Sequence, residues 1–212
     1  MARFVLKVLA PAALVLALAT PQVSSAQGKG SYGGWSYEWA LGIGDLEEYI
    51  GNDSWVGFTL QGRSFVSEHF AVGGYIGYNV FYENTGDVIE LPRGAISGEQ
   101  YRHLSTVPIM VGFYRHFGGG SGRGSHLYLG LNGGVYYFYQ MMDIGVLSLS
   151  TSEWLFGVAP EVGIVMTRGR TAVALQAKYH YPIPGGDGFL SGQERSFQYL
   201  SIGLGFFARR GY

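Results

Sequence analysis

The chain has 212 residues, 47% hydrophobic and 14% charged, with a formal net charge of −1 and no cysteine. Near-neutral charge excludes a polybasic nucleic-acid binder, and the missing cysteines exclude a disulfide-stapled fold. With 35 Gly, 16 Tyr and 13 Phe, the chain is rich in residues that are very small or large and aromatic.

The N-terminus has a secretory pattern. Arg3 and Lys7 supply positive charge, Val8–Ala19 is apolar around Pro11, and Ser24-Ser25-Ala26 places small residues at the cleavage positions. The run falls short of the roughly 20 apolar residues that a membrane helix needs, so 1–26 is expected to be a cleaved signal peptide. Residues 27–34 (QGKGSYGG) read as a flexible lead-in, and 35–212 as one folded domain.

From Trp35 the chain alternates with period two, the mark of strands. Trp35, Tyr37, Trp39, Leu41 and Ile43 oppose Ser36, Glu38, Ala40, Gly42 and Gly44. Val56, Phe58 and Leu60 then alternate with small or polar neighbours, as do Val72, Ile76, Tyr78 and Val80, and Val107, Ile109, Val111 and Phe113. The same holds for Leu127–Tyr137, Phe156–Ile164, Val173–Tyr181 and Leu200–Phe206. Long connections at 45–54, 83–103, 141–153 and 182–197 alternate with short ones near 67–69, 118–125 and 168–171.

Eight such strands with long and short connections in turn predict an all-β fold, an eight-stranded antiparallel up-and-down transmembrane β-barrel. A soluble barrel would turn the apolar set inward and show Lys and Glu outside; here the opposite set is glycine-rich instead. Trp35, Tyr37, Tyr82, Tyr137, Tyr139, Trp154, Tyr179 and Tyr181 fall near strand ends, where interfacial girdles lie. Trp55, Tyr75, Phe81, Tyr136, Phe138, Tyr199 and Phe207 are expected inside. They favour a filled lumen, whereas the many inward glycines favour gaps.

Over residues 35–208 the chain resembles the OmpA/OmpX/OmpW-type small outer-membrane barrels. Ser201-Ile202-Gly203-Leu204-Gly205-Phe206-Phe207-Ala208 is similar to the C-terminal signal read by the barrel-insertion machinery, although Ala208 and the tail Arg209–Tyr212 replace a strand-terminal Phe. The resemblance implies a monomer in the cell outer membrane, with membrane lipids and that machinery as partners. It also implies a structural, surface-interaction or adhesive role, with an OmpW-like narrow conduit for small apolar molecules as the alternative. A lipid A-modifying enzyme is the remaining rival. Its deacylase string needs a serine after the late-strand histidine, where the chain has His180-Tyr181-Pro182, and the palmitoyl-transferring kind needs a first-loop histidine, which 45–54 lacks.

No catalytic, cofactor-binding or metal residues are assigned. Gly203–Ala208 fits G-x-G-x-x-A without a following helix, and Gly118–Ser125 lacks the Lys-Ser/Thr of a phosphate loop. Of five histidines only His116 and His126 are placed to meet, one ligand short of a plausible metal site. Acids gather in the long loops (Asp45, Glu47, Glu48, Asp53, Glu83, Asp87, Glu90, Glu99, Asp143, Glu153, Asp187, Glu194), where cations are possible partners. Arg115, Arg123, Arg168, Arg170, Arg209, Arg210 and Lys29 lie at the other end with Glu68.

The turn Arg168-Gly169-Arg170-Thr171 carries the finest expectation. Gly169 as first central residue marks a type II′ hairpin. Pairing Arg168 with Thr171 then sets Met166 opposite Val173, Ile164 opposite Leu175 and Glu161 opposite Lys178. Isolated charges inside the wall would be costly, so a lumenal Glu161–Lys178 ion pair is expected, with Glu38–Arg63 as a second pair across the first hairpin.

Overall fold

The structure is a computed structural model, which describes residues 30–85, 88–91, 94–97, 100–118, 124–144, 147–184 and 197–210. The signal expected over 1–26 lies outside these residues, as do Lys29, Asp87, Arg93, Glu99, Arg123, Asp187, Glu194 and Arg195.

The strands are β1 (Ser31–Ile43), β2 (Val56–Phe65), β3 (Phe70–Thr85), β4 (Val88–Leu91), β5 (Gly94–Ser97), β6 (Gln100–Phe117), β7 (Gly124–Ile144), β8 (Leu147–Arg168), β9 (Thr171–Pro182) and β10 (Gln198–Arg210), with one short helix, α1 (Asp45–Tyr49). Eight of them close into an antiparallel barrel in the order β1-β10-β9-β8-β7-β6-β3-β2, while β4 and β5 form a separate ribbon between β3 and β6. Closure pairs β1 with β10, which leaves no open edge through the barrel wall.

Alternation decides which side faces out. Phe113, Phe156 and Val111 are more than 70% exposed, and Leu131, Trp154, Leu175 and Ile164 are exposed beside them. The side chains between them on each strand are buried: Tyr114, Tyr128, Tyr136, Asn132, Lys178 and Ser201 all point into the lumen. A wall that is apolar outside and polar inside is suited to lipid, not water.

The hairpin between β8 and β9 has the expected register, Arg168 opposite Thr171 and Glu161 opposite Lys178. Gly169 takes φ +61°, and no other residue of that turn has a positive φ, as type II′ requires.

Five features depart from the sequence expectations. β1 begins at Ser31, so half of the expected lead-in is wall, and β10 runs through Arg209 and Arg210, so the tail after Ala208 continues the strand. The expected loop 141–153 is largely strand: β7 and β8 pair from Ile144–Leu147 down to Gly124–Thr167. Outward positions there are Asp143, Ser148, Ser150 and Ser152, so the apolar alternation vanishes while the ladder continues. The loop 45–54 contains α1, whose Leu46 and Tyr49 pack into the barrel mouth with Ile50 just beyond its end. Trp55 is exposed, contrary to its inward assignment. Ser54 bridges to Ala40, and Trp55 and Val56 both face out, so the alternation slips by one where β2 begins. Trp55 stacks on Trp39 at 5.1 Å and its carbonyl accepts a hydrogen bond from the Tyr37 hydroxyl.

Candidate functional site: the barrel lumen

The lumen is filled in three layers. At the outer mouth, Leu46, Tyr49 and Ile50 meet Phe81, Leu104, Phe138, Met142, Phe197 and Tyr199. At the inner end, Tyr32, Phe65, Tyr114, Val165 and Phe207 form a second apolar cluster. Between them lies a polar layer built on Glu38, Arg63, Glu161 and Lys178, each at most 6% exposed.

The four charged residues therefore come together, but with partners exchanged. Arg63 Nη2 donates to Glu161 Oε1 at 2.6 Å, and Lys178 Nζ pairs with Glu38. The expected Glu38–Arg63 pair fails on register: Arg63 is opposite Tyr32 on β1, which leaves Glu38 six residues, about 20 Å, along the strand. Arg63 instead reaches from β2 across the lumen to β8, four strands away around the barrel. Lys178 faces Glu161 across one ladder yet reaches over β10 to Glu38. Gly203 lies between them, and a Cβ there would sit 3.1 Å from Glu38 Cγ.

Neutral groups add further hydrogen bonds, and of the buried atoms of the four charged groups only Glu38 Oε2 and Arg63 Nε are left without one among the described residues. The Tyr128 hydroxyl donates to Glu161 Oε1 at 2.6 Å, Asn132 Nδ2 donates to Glu161 Oε2 at 3.2 Å, and Gln61 Oε1 accepts from Arg63 at 3.1 Å. The Arg63 guanidinium lies over the rings of Tyr114 (3.9 Å) and Tyr128 (4.3 Å). Buried charges survive only when so paired and hydrogen-bonded.

The inward glycines are covered by rings. A Cβ at Gly130 would lie 2.7 Å from the Tyr114 ring, at Gly163 2.6 Å from Tyr128, at Gly157 2.6 Å from Tyr136, and at Gly205 2.6 Å from Phe207. Aromatics from neighbouring strand positions occupy the space that the glycines vacate. A void of about 10 Å³ beside Arg63, lined by Gln61, Tyr128 and Phe207 among others, is barely enough for one water.

The histidines fall into two sets. His126 Nε2 lies 3.1 Å from His116 Nδ1, so the expected meeting across the β6–β7 turn occurs; among the described residues no third ligand joins them. His180, which the sequence reading left without a nucleophile, has Ser201 Oγ 3.2 Å from its Nε2 and Tyr136 OH 3.2 Å from its Nδ1. The β9–β10 register makes that contact, since Lys178 pairs with Ser201 and His180 with Tyr199. His180 and Ser201 are at most 1% exposed and the His180 ring lies flat on Tyr199 at 4.1 Å, so the contact is buried within the packed lumen.

One seam in the wall is weaker. Pro160 stands mid-strand in β8, and the β8–β9 ladder skips Ala159 and Pro160 between Val158–Tyr181 and Glu161–Lys178. Proline has no N–H to give the ladder.

A closed eight-stranded antiparallel barrel with an apolar exterior and a lumen packed by its own side chains is the fold of the small outer-membrane β-barrels. Among solved structures the chain is similar to Neisserial surface protein A, at 10% identity over 87% of this chain and 98% of that one, with a TM-score of 0.52. It is also similar to the attachment invasion locus protein Ail of Yersinia pestis (13% identity, 85% and 99% covered, TM-score 0.48) and to the outer membrane protein OprG of Pseudomonas aeruginosa (13%, 88% and 99%, 0.47). At these identities the likeness is one of fold. No protein-family model and no curated protein sequence matches the chain.

Proposed function

We propose that the chain is a monomeric outer-membrane protein, exported through a signal at 1–26, whose barrel is an anchor and whose outer end is an interaction surface, without enzymatic activity. The observation that carries this reading is the contrast between a packed lumen and an overgrown outer wall. At about 3.3 Å per residue and a tilt near 40°, ten-residue strands span roughly 25 Å, the height of the apolar band. β2 has 10 residues, whereas β7 has 21 and β8 has 22. By the same measure β7 and β8 stand roughly 30 Å above the band. Its last strand has no partner on the β9 side from 147 to 155 among the described residues.

Replacing residues 142–149 by Asn-Gly tests this, because Met141 and Ser150 already oppose each other and a two-residue turn closes the shorter hairpin. Insertion into the outer membrane should be unchanged and adhesion of expressing cells to surfaces or other cells should fall to background. Unchanged adhesion would refute the surface role.

A second reading, a narrow conduit for small apolar molecules, is favoured only by the Pro160 seam. Liposomes holding the barrel should take up neither small sugars nor small apolar solutes beyond empty controls, since eight strands leave no water channel. Uptake of apolar solutes that Pro160→Val abolishes would establish the conduit instead.

A further inference from the structure

We propose that the inner end of the barrel carries an arginine ring that binds the phosphates of anionic phospholipids in the facing leaflet, with Arg115 at its best-formed site. This rests on the membrane reading above. Arg115 faces outward from β6 between Phe113, which is 74% exposed, and Phe117. Its ladder neighbours are Phe70 on β3 and Leu129 on β7, both exposed. A cation set in this apolar wall would be costly at the bilayer midplane and tolerable only near an interface.

The side chain solves this by direction. Its guanidinium lies 5.2 Å from the Phe117 ring and 5.8 Å from the Phe70 ring, and both rings stand at the turn end of their strands. Arg115 thus extends past the apolar wall toward the headgroup layer. No carboxylate lies within 4 Å of it among the described residues; the ion pairs there are Arg63–Glu161 and Lys178–Glu38.

The ring recurs around the barrel. Arg168 ends β8 on the outward parity of Met166, and Arg210 ends β10 on that of Phe206, while Arg209 between them turns inward. Arg170 is exposed in the β8–β9 turn. Strands β6, β8 and β10 therefore each present an arginine at the same membrane edge, with Glu68 the one acid there among the described residues. At the outer end the balance reverses: Asp45, Glu47, Glu48, Asp53, Glu83, Asp143 and Glu153 face Arg102 alone among described side chains. A planar guanidinium suits two phosphate oxygens at once, and the exposed Phe113 and Leu129 would lie along the acyl chain below it.

The test uses the full barrel folded into phosphatidylcholine vesicles, with trace spin-labelled phosphatidylglycerol or phosphatidylcholine to measure the lipid held at the wall. Protease resistance first establishes insertion, so a chain that fails to insert refutes the membrane reading and not this one. For inserted barrel, phosphatidylglycerol should be preferred severalfold, by up to roughly fivefold per arginine, and less so in high salt. Arg115→Lys should keep the part of the preference that high salt removes and lose the part that two-point phosphate binding adds. Arg115→Gln should lower it, and the combined Arg115→Gln, Arg168→Gln, Arg170→Gln and Arg210→Gln barrel should hold both lipids equally. Equal binding by the inserted wild type, or full preference in the fourfold variant, would overturn the proposal. So would arginine-dependent binding of soluble peptidoglycan fragments with no lipid preference.

Discussion

Replacing Glu161 by glutamine keeps the shape of the central layer and removes one charge. Glu161 accepts from Arg63 Nη2 (2.6 Å), Tyr128 OH (2.6 Å) and Asn132 Nδ2 (3.2 Å). In Glu161→Gln one oxygen becomes an NH2 facing other donors, and the Arg63 cation loses its counter-ion. Removing one partner of a buried pair costs about 3–5 kcal/mol. The lower end, about 3 kcal/mol, is expected because Arg63 retains Gln61 Oε1 and two ring faces. Arg63→Met should cost a similar amount. The double variant should fall short of the sum by about 2 kcal/mol, since neither charge is then stranded. Urea unfolding in vesicles, followed by the four tryptophans, measures each corner of the cycle. A parallel cycle of Glu161→Gln with Lys178→Met should give a clearly smaller coupling, because the Lys178 ammonium pairs with Glu38. A larger coupling for Glu161–Lys178 than for Glu161–Arg63 would refute the exchanged pairing.

Gly163→Ala should destabilise the barrel by about 1–3 kcal/mol, because its Cβ would meet the Tyr128 ring at 2.6 Å and displace a hydroxyl bound to Glu161. Gly33→Ala, with nothing within 4 Å of the new Cβ, should stay within about 0.5 kcal/mol of wild type; equal effects in the same unfolding assay would show the rings are not held as described. For orientation, a cysteine at Ser150 should react with a membrane-impermeant maleimide on intact cells, and one at Arg170 only after the outer membrane is opened. Labelling of the Arg170 site on intact cells would invert the barrel.

The sequence by itself determined the number of barrel strands, the side each presents to lipid and the β8–β9 register, but not the β4–β5 ribbon within the expected loop 83–103. Period-two alternation survives wherever one face meets hydrocarbon. A single glycine with a required positive φ then sets the β8–β9 ladder, so Glu161 was placed opposite Lys178 from four turn residues. Alternation is a lipid signal, however, and it ends where the lipid ends. Above the band Ser148, Ser150 and Ser152 face water, so the upper halves of β7 and β8 looked like loop. The slip at Trp55 was equally silent, because it depends on the Ala40–Ser54 bridge and not on residue type.

Only the tertiary structure decided the lumen. Which carboxylate an arginine meets depends on distances across a closed barrel, and Arg63 reaches a strand four places away that no local register relates to it. Gly130, Gly157, Gly163 and Gly205 looked like gaps one strand at a time. The β6–β7 and β7–β8 ladders bring Tyr114, Tyr136 and Tyr128 over the first three from the adjoining strand, and Phe207 folds back over Gly205 on its own strand, where a narrow barrel leaves the rings little other room.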